Sequence, residues 1–269
     1  DHREVPIDVI LPQNLPRGLP LTIVATNFIR PDQLLDWVMP RGNNAVVFYH
    51  SARLDRLLAP DFPFWSQIRG INSLDSLWSV ITTNPVTKWY STYKALHEAP
   101  GDIGEIVRGA QAPLQVDGSR INLAGLGSGS LTAAAAAHRL QTMGTFPHTI
   151  TLIYPPANLP AAIGETLFYV PSLIRGPLSY VLAFVYRRLE LERHLSAVTG
   201  EDNKRLLVIP INAWELSTQT TLPAVQSAGV VDVEHINANY ALYYDAHNIT
   251  QIRDKVTSWL LEKRAIDHF

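Results

Sequence analysis

The sequence contains no cysteine, and this absence excludes several kinds of chemistry. Without thiols the chain forms no disulfide, builds no thiolate metal site and has no cysteine nucleophile. An excess of charge of either sign is also missing, because 22 Lys and Arg residues stand against 24 Asp and Glu residues. The basic residues are dispersed along the chain, so the sequence predicts no nucleic-acid partner.

Long apolar runs are missing as well. No uninterrupted hydrophobic stretch reaches the about 20 residues that a helix needs to cross a bilayer. The nearest approach, 177–186, stops at Arg187 and Arg188. The sequence therefore predicts no transmembrane segment. A hydrophobic content of 46% with 17% charged residues is instead typical of a globular chain with a sizeable core.

The first residue is Asp1 rather than a methionine. Removal of a leader would produce such a start, so export to the periplasm or the medium is one expectation and a cytoplasmic location is the alternative. The length of 269 residues fits one large domain with an inserted cap at least as well as two domains. The oligomeric state stays open.

Strand-like and helix-like segments alternate along the chain. Strand patterns occur at 5–11, 21–28, 44–50, 120–126, 149–156, 204–212 and 230–237. Helix patterns occur at 30–39, 73–82, 86–98, 130–143, 179–195, 221–227 and 248–264. This alternation predicts an α/β fold with a mostly parallel central sheet flanked by helices. The segment 157–200 has no strand pattern, so we expect it to form a helical cap inserted between core segments 1–156 and 201–269.

Aromatic residues are concentrated between Phe62 and Tyr93. Large aromatic side chains are most often part of the core, and that is the simpler interpretation of this region. The alternative is an exposed interface, in which case the protein is a scaffold or a partner-binding protein.

The stretch INLAGLGSGSLTAAAAA, 121–137, has the form of a strand, a glycine-rich turn and a helix of small residues. A dinucleotide-binding G-x-G-x-x-G motif fits poorly, because its third glycine would fall at Ser130 and no acidic residue follows before Glu165. A phosphate-binding loop is excluded, since no lysine follows the glycines. The sequence accordingly predicts no cofactor.

The remaining interpretation of this turn is a nucleophile elbow, G-x-S-x-G, in which a sharp strand-to-helix turn presents a serine above the sheet. If Gly125 and Gly129 are the small flanking residues, the central position is Gly127. Residues 121–137 resemble, over their whole length, the INLVGHSMGGLxAxxxA pattern of the α/β-hydrolase family. The resemblance implies an α/β-hydrolase fold in which glycine replaces the nucleophilic serine.

The same resemblance locates the other catalytic positions, which follow in the order acid and then histidine. Glu215 in NAWELS matches the acid, and Tyr240 in INANYALYYD matches the histidine. A tyrosine with an ordinary pKa of about 10 cannot act as the general base at neutral pH. The chain therefore resembles a serine hydrolase whose catalytic triad is degenerate.

The turn that supplies one oxyanion-hole donor in the family corresponds to Thr26, Asn27 and Phe28. Backbone donors depend on turn geometry, so the N–H groups of Phe28 and Ser128 could still bind a carbonyl or carboxylate oxygen. The ligand is expected to be a small hydrophobic or ester-like molecule. The predicted binding residues are Thr26, Asn27, Phe28, Leu126, Gly127, Ser128 and Tyr240.

An active enzyme is the alternative, with Ser128 as the nucleophile of a shifted elbow. Glu215 would then orient either His247 or His235, which flank Tyr240. Against this, Leu126 would stand two residues before the nucleophile, where the tight turn needs a small residue. No metal site is predicted, because His138, His148 and His194 are scattered along the sequence without a recognisable ligand motif.

Overall fold

A computed structural model of the chain describes eleven segments, and every structural statement below concerns them. They are 7–12, 17–26, 43–50, 86–153, 155, 159–160, 171–191, 193–194, 206–209, 232–233 and 246–268. The predicted helices at 30–39, 73–82 and 221–227 lie outside these segments, as does most of the aromatic region.

The described strands form one seven-stranded sheet with the order β1-β3-β2-β4-β5-β6-β7. The strands are β1 (Ile7–Ile10), β2 (Leu19–Thr26), β3 (Ala45–His50), β4 (Val116–Leu126), β5 (Thr149–Ile153), β6 (Leu206–Ile209) and β7 (Asp232–Val233). Only β1 runs antiparallel to its neighbour, β3, and every other pair is parallel. Every residue of β2 and β5 is buried, as expected for strands covered on both faces. The predicted mostly parallel sheet is confirmed.

The described helices are α1 (Val86–Gln111), α2 (Ser128–Thr142), α3 (Ser172–Tyr186), which a 3₁₀ turn (Arg187–Leu189) follows, and α4 (Ala246–Glu262). Residues of α1 and α2 share one core cluster with the sheet. Residues of α4 share a separate cluster with alternate positions of the same strands. The sheet is therefore covered by helices on both faces, as the sequence pattern predicts.

The alanine run of α2 explains how closely this helix approaches the sheet. Residues 133–137 are all buried, and α2 contacts β2, β4, β5 and α1. Alanine combines the highest helix propensity with the smallest side chain that still has a Cβ. The run thus forms a helix that fits between a sheet and a second helix.

The bounds of α1 and α3 differ from the sequence prediction. α1 continues past Pro100 to Gln111, although a proline normally ends a helix. Beyond the proline, Ile103, Val107 and Ala110 are buried in the core, and this packing offsets the backbone hydrogen bond that proline cannot make. α3 begins at Ser172, seven residues before the predicted start, includes Pro177 and ends at Tyr186, before the predicted end at 195.

Within the predicted cap, 157–200, the described residues are helical at 159–160, 172–186 and 187–189, among others, and none is in a strand. α3 contacts α1, and the 3₁₀ turn after it contacts α2. The boundaries at 157 and 200 lie outside the described residues and remain predictions.

The strand order defines where a site can form. From β2 the chain moves to β3 on one side, and from β4 it moves to β5 on the other side. Where the strand order reverses in this way between two adjacent parallel strands, a crevice is expected at their carboxyl ends. Thr26 and Leu126, the last residues of β2 and β4, therefore mark the edge at which a ligand would bind.

Candidate functional site

Gly127 is the only residue between the end of β4 and the start of α2. Its backbone angles are φ 58° and ψ −124°, a combination that lies outside the allowed regions of residues with a Cβ. Glycine adopts it without a steric penalty. The chain turns sharply from strand to helix at this one residue, as the elbow motif predicts.

Backbone atoms lie close to both flanking glycines, Gly125 and Gly129. A Cβ on Gly125 would lie 2.4 Å from the Cα of Ser130, and a Cβ on Gly129 would lie 2.2 Å from the carbonyl oxygen of Ala25. Both distances are far shorter than van der Waals contact, and backbone atoms cannot rotate away as a flexible side chain can. The turn therefore has no room for a side chain at either flank.

Hydrogen bonds to the neighbouring strand fix the turn in place. The N–H of Gly127 donates to the carbonyl oxygen of Ile153, the last residue of β5, at 2.8 Å. The buried hydroxyl of Ser130 lies 2.8 Å from the carbonyl oxygen of Gly125 and 3.1 Å from that of Ile153. Sequence analysis missed this role of Ser130, since no local pattern indicates which strand follows β4 in the sheet.

Ser128 is the first residue of α2, and Gly127 caps the helix without a side-chain hydrogen bond. The first N–H groups of an α-helix have no acceptor within the helix, and they form its positive end. The first turn of α2 contains no acidic residue that would neutralise this end. The backbone N–H of Ser128 is therefore a donor of the kind that binds a developing or full negative charge.

The end of β2 lies against this first helical turn. A Cβ on Gly129 would be 3.1 Å from the Cα of Thr26, so Thr26 and the start of α2 are in direct contact. The side chain of Thr26 is buried. The side chain of Leu126 is also buried, in the core cluster shared with α4. The contact brings the end of β2 next to the N-terminus of α2.

The other predicted site residues are not placed by the structure. Asn27, Phe28, Glu215, His235 and Tyr240 lie outside the described residues. His247 is in the first turn of α4, as the sequence suggests, but its side chain is outside the described part of the chain. The assignments of these residues, like the side-chain role of Ser128, remain predictions.

Two histidines that sequence analysis regarded as scattered are in contact. The Nδ1 atoms of His138, on α2, and His194 lie 3.2 Å apart, and Nε2 of His194 lies 2.7 Å from the carbonyl oxygen of Arg188. His148 is elsewhere, with Nε2 3.0 Å from the carbonyl oxygen of Lys263. Sequence analysis did not indicate the contact between His138 and His194, because 56 residues separate them in the sequence. Among the described residues, no group of three metal-ligating side chains occurs.

Burial lowers the pKa of His194, because the charged imidazolium loses solvation there. The hydrogen bond to the carbonyl oxygen of Arg188 raises this pKa, whereas the charges on His138 and Arg193 lower it, and the net shift is downward. The pKa of His97, on α1, is likewise lowered by burial and by the charge on Arg188. Folding therefore favours the neutral form of both imidazoles.

These shifts predict that the protein loses stability in mild acid. The unfolded histidines have a pKa of about 6.5, so below that pH the unfolded chain binds more protons than the folded one. The contribution is present above about pH 6.5 and is lost as the pH falls towards the lower folded values. We expect the melting temperature to fall between about pH 7.5 and about pH 5, and H194Q to reduce this fall. The exposed-site variant H268Q is the control, and an equal pH dependence in both variants would contradict the assignment.

Comparison with known proteins supports the fold. No protein-family profile and no curated protein sequence matches the chain. Among solved structures, an esterase from Rhizomucor miehei is similar with a TM-score of 0.56 at 15% identity, over 99% of this chain and 81% of that one. A carboxyl esterase from Tuber melanosporum has a TM-score of 0.56 at 12% identity, over 97% and 83%. An esterase from Pyrobaculum calidifontis has a TM-score of 0.52 at 16% identity, over 96% and 80%.

These esterases and this chain share the α/β-hydrolase fold over nearly the whole sequence. Identities of this size are informative about the fold, and chemistry must be argued from the site itself. The resemblance of residues 121–137 to the elbow pattern is thereby confirmed at the level of the fold.

Proposed function

We propose that this protein is a non-hydrolytic member of the α/β-hydrolase fold that binds a small hydrophobic molecule with a carbonyl or carboxylate group. The observation that carries the proposal is Gly127, which occupies the elbow with φ 58° and ψ −124° and has no side chain to attack a substrate. The elbow itself is complete, with both glycine flanks and its hydrogen bonds to β5.

The chemistry that remains at this position is recognition of an oxygen atom. The N–H of Ser128 is at the positive end of α2, and in our proposal the N–H of Phe28 is the second donor. Two such donors bind an oxygen with partial or full negative charge whether or not a nucleophile is present. Without a serine hydroxyl at Gly127 and with Tyr240 in the position of the histidine, the bound carbonyl is held and not attacked.

The nature of the ligand follows from two considerations. The similar solved structures are described as esterases, which supports an ester or an acid as the ligand. The sequence of the cap segment is rich in apolar and aromatic residues, which favours an apolar remainder of the molecule. A medium-chain carboxylate or its ester has both the carbonyl or carboxylate group and the apolar remainder.

An active esterase with Ser128 as nucleophile, aided by Glu215 and His247 or His235, is the second candidate. The adjacency of Ser128 to the turn favours it. Two features weigh against it: Leu126 stands where the turn needs a small residue, and Ser128 belongs to the helix rather than to the turn.

Turnover and binding assays together test the proposal. We expect no hydrolysis of p-nitrophenyl acetate or p-nitrophenyl octanoate above the buffer rate, with S128A indistinguishable from the unmodified protein. Octanoate at a concentration about 100 times its dissociation constant should stabilise the fold by about 2.7 kcal/mol, which a thermal-shift assay detects. Steady turnover that S128A abolishes would support the second candidate. Absence of both turnover and thermal shift would contradict the proposed ligand class.

A further inference from the structure

The outward face of α3 is an apolar stripe. The exposed fractions are 83% for Leu173, 69% for Tyr180, 62% for Val181 and 63% for Phe184. Spacings of seven, eight and eleven residues from Leu173 place the four side chains on one side of the helix. From the first to the last, this apolar stripe runs about 17 Å along the helix axis.

The opposite face of α3 attaches the helix to the rest of the protein. Ser179 and Ala183 lie on this face and are buried, and Ala183 belongs to the core cluster of α1 and α2. Small side chains thus attach α3 to the core, and the stripe faces solvent. A helix that is apolar all round is normally buried on every side, so the stripe is expected to have a partner.

The charges around the stripe are mostly positive. Between Pro171 and Arg193 the basic residues are Arg175, Arg187, Arg188 and Arg193, and the acidic residues are Glu190 and Glu192. The arginines at 187 and 188 are exposed at the carboxyl end of α3. The amino end has no acidic residue in its first turn, so its helix dipole is not neutralised locally. The net charge of this segment is therefore positive, which favours an anionic partner.

This distribution disfavours a second copy of the chain as the partner. An antiparallel pair of α3 helices would place the positive amino end of one against Arg187 and Arg188 of the other. A parallel pair would bring the arginines of both copies together. The net positive charge of the segment makes either arrangement costly. An anionic surface, in contrast, can pair with the arginines while the apolar stripe is buried.

The candidate surface is a lipid bilayer. No helix in the described part of the chain is long and apolar enough to cross a membrane, so α3 would lie in the plane of the interface. Interfacial helices bury an apolar face at the boundary of headgroups and acyl chains and direct basic residues to lipid phosphates. Tyr180 suits this position, since tyrosine is enriched at membrane interfaces.

We propose that α3 docks the protein on the surface of an anionic bilayer, with Leu173, Tyr180, Val181 and Phe184 inserted and Arg187 and Arg188 at the phosphates. This docking is independent of whether the Gly127 site binds or hydrolyses its ligand. The two properties are separable, because the stripe faces away from the core cluster that α3 shares with α1 and α2.

Vesicle co-sedimentation of the full chain tests the docking. We expect binding to vesicles of equal parts phosphatidylcholine and phosphatidylglycerol, and little binding to phosphatidylcholine alone. The double variant L173S/F184S should bind at least about tenfold more weakly, since it removes two inserted apolar side chains. The matched control is F146S, because Phe146 is also exposed but lies outside α3. We expect F146S to bind as the unmodified protein does.

The charge contribution is measured separately. R187Q/R188Q should lose about fivefold in affinity for anionic vesicles per arginine removed, with no change on neutral vesicles. Circular dichroism and the melting temperature check that the variants fold. Binding of L173S/F184S equal to that of the unmodified protein would overturn the proposal. So would light scattering that shows a dimer which L173S/F184S dissociates, because a second copy would then cover the stripe.

Discussion

Replacing Gly129 with alanine is expected to destabilise the protein strongly. The new Cβ would lie 2.2 Å from the carbonyl oxygen of Ala25 and 3.1 Å from the Cα of Thr26. Relief requires β2 and α2 to move apart, and this separates the central strand from the helix that carries the alanine run. We expect a loss of about 3 kcal/mol or more in the free energy of unfolding.

For a chain of this size such a loss lowers the melting temperature by roughly 10 °C or prevents recovery of soluble protein. G109A is the matched control, because Gly109 lies in α1 and a Cβ added to it would have no neighbouring atom within 4 Å. Alanine there should leave the protein as stable or stabilise it by about 0.5–1 kcal/mol. Equal melting temperatures for G129A and G109A would show that β2 and α2 are not in the close contact described above.

Adding the two catalytic groups that our proposal regards as lost, a serine at 127 and a histidine at 240, is expected to produce the largest change in activity. G127S alone places a hydroxyl at the elbow, costs about 1–3 kcal/mol of stability through the strained backbone and lacks a general base. G127S/Y240H adds the imidazole at the position that the family resemblance assigns to it. General-base assistance contributes about 10²–10⁴-fold, so the double variant should hydrolyse p-nitrophenyl esters at least about 100-fold faster than G127S.

Y240H alone is the control for this gain. It should be as inactive as the unmodified protein, because it has an imidazole and no hydroxyl at Gly127. Activity in Y240H alone would indicate that Ser128 is the nucleophile. A folded but inactive G127S/Y240H would indicate that Tyr240 does not occupy the histidine position.

The elbow could be predicted from sequence because its requirements are local. The absence of a Cβ at Gly125 and Gly129 and the positive φ of Gly127 are properties of a five-residue stretch. The parallel sheet could also be predicted, since apolar runs alternate with segments of helical periodicity along the chain. The C-terminal helix α4 was predicted within two residues at each end.

Features that depend on contacts between residues distant in the sequence could not be predicted from it. The continuation of α1 beyond Pro100 depends on the burial of Ile103 and Val107 against the sheet. The contact between His138 and His194 depends on how the chain returns to α2 after α3. Local helix propensity alone would end α1 at Pro100, and no local pattern indicates that His138 and His194 are in contact. In both places tertiary packing outweighs the local signal.

Intact-mass analysis after incubation with a fluorophosphonate probe tests the central claim most directly, with an active serine esterase as the positive control. The probe forms a stable adduct only with an activated serine, and an elbow with glycine at position 127 offers none. We predict that the unmodified protein keeps its mass while the esterase is labelled completely. An adduct that peptide mapping locates at Ser128 would contradict the account and identify the protein as an active serine hydrolase.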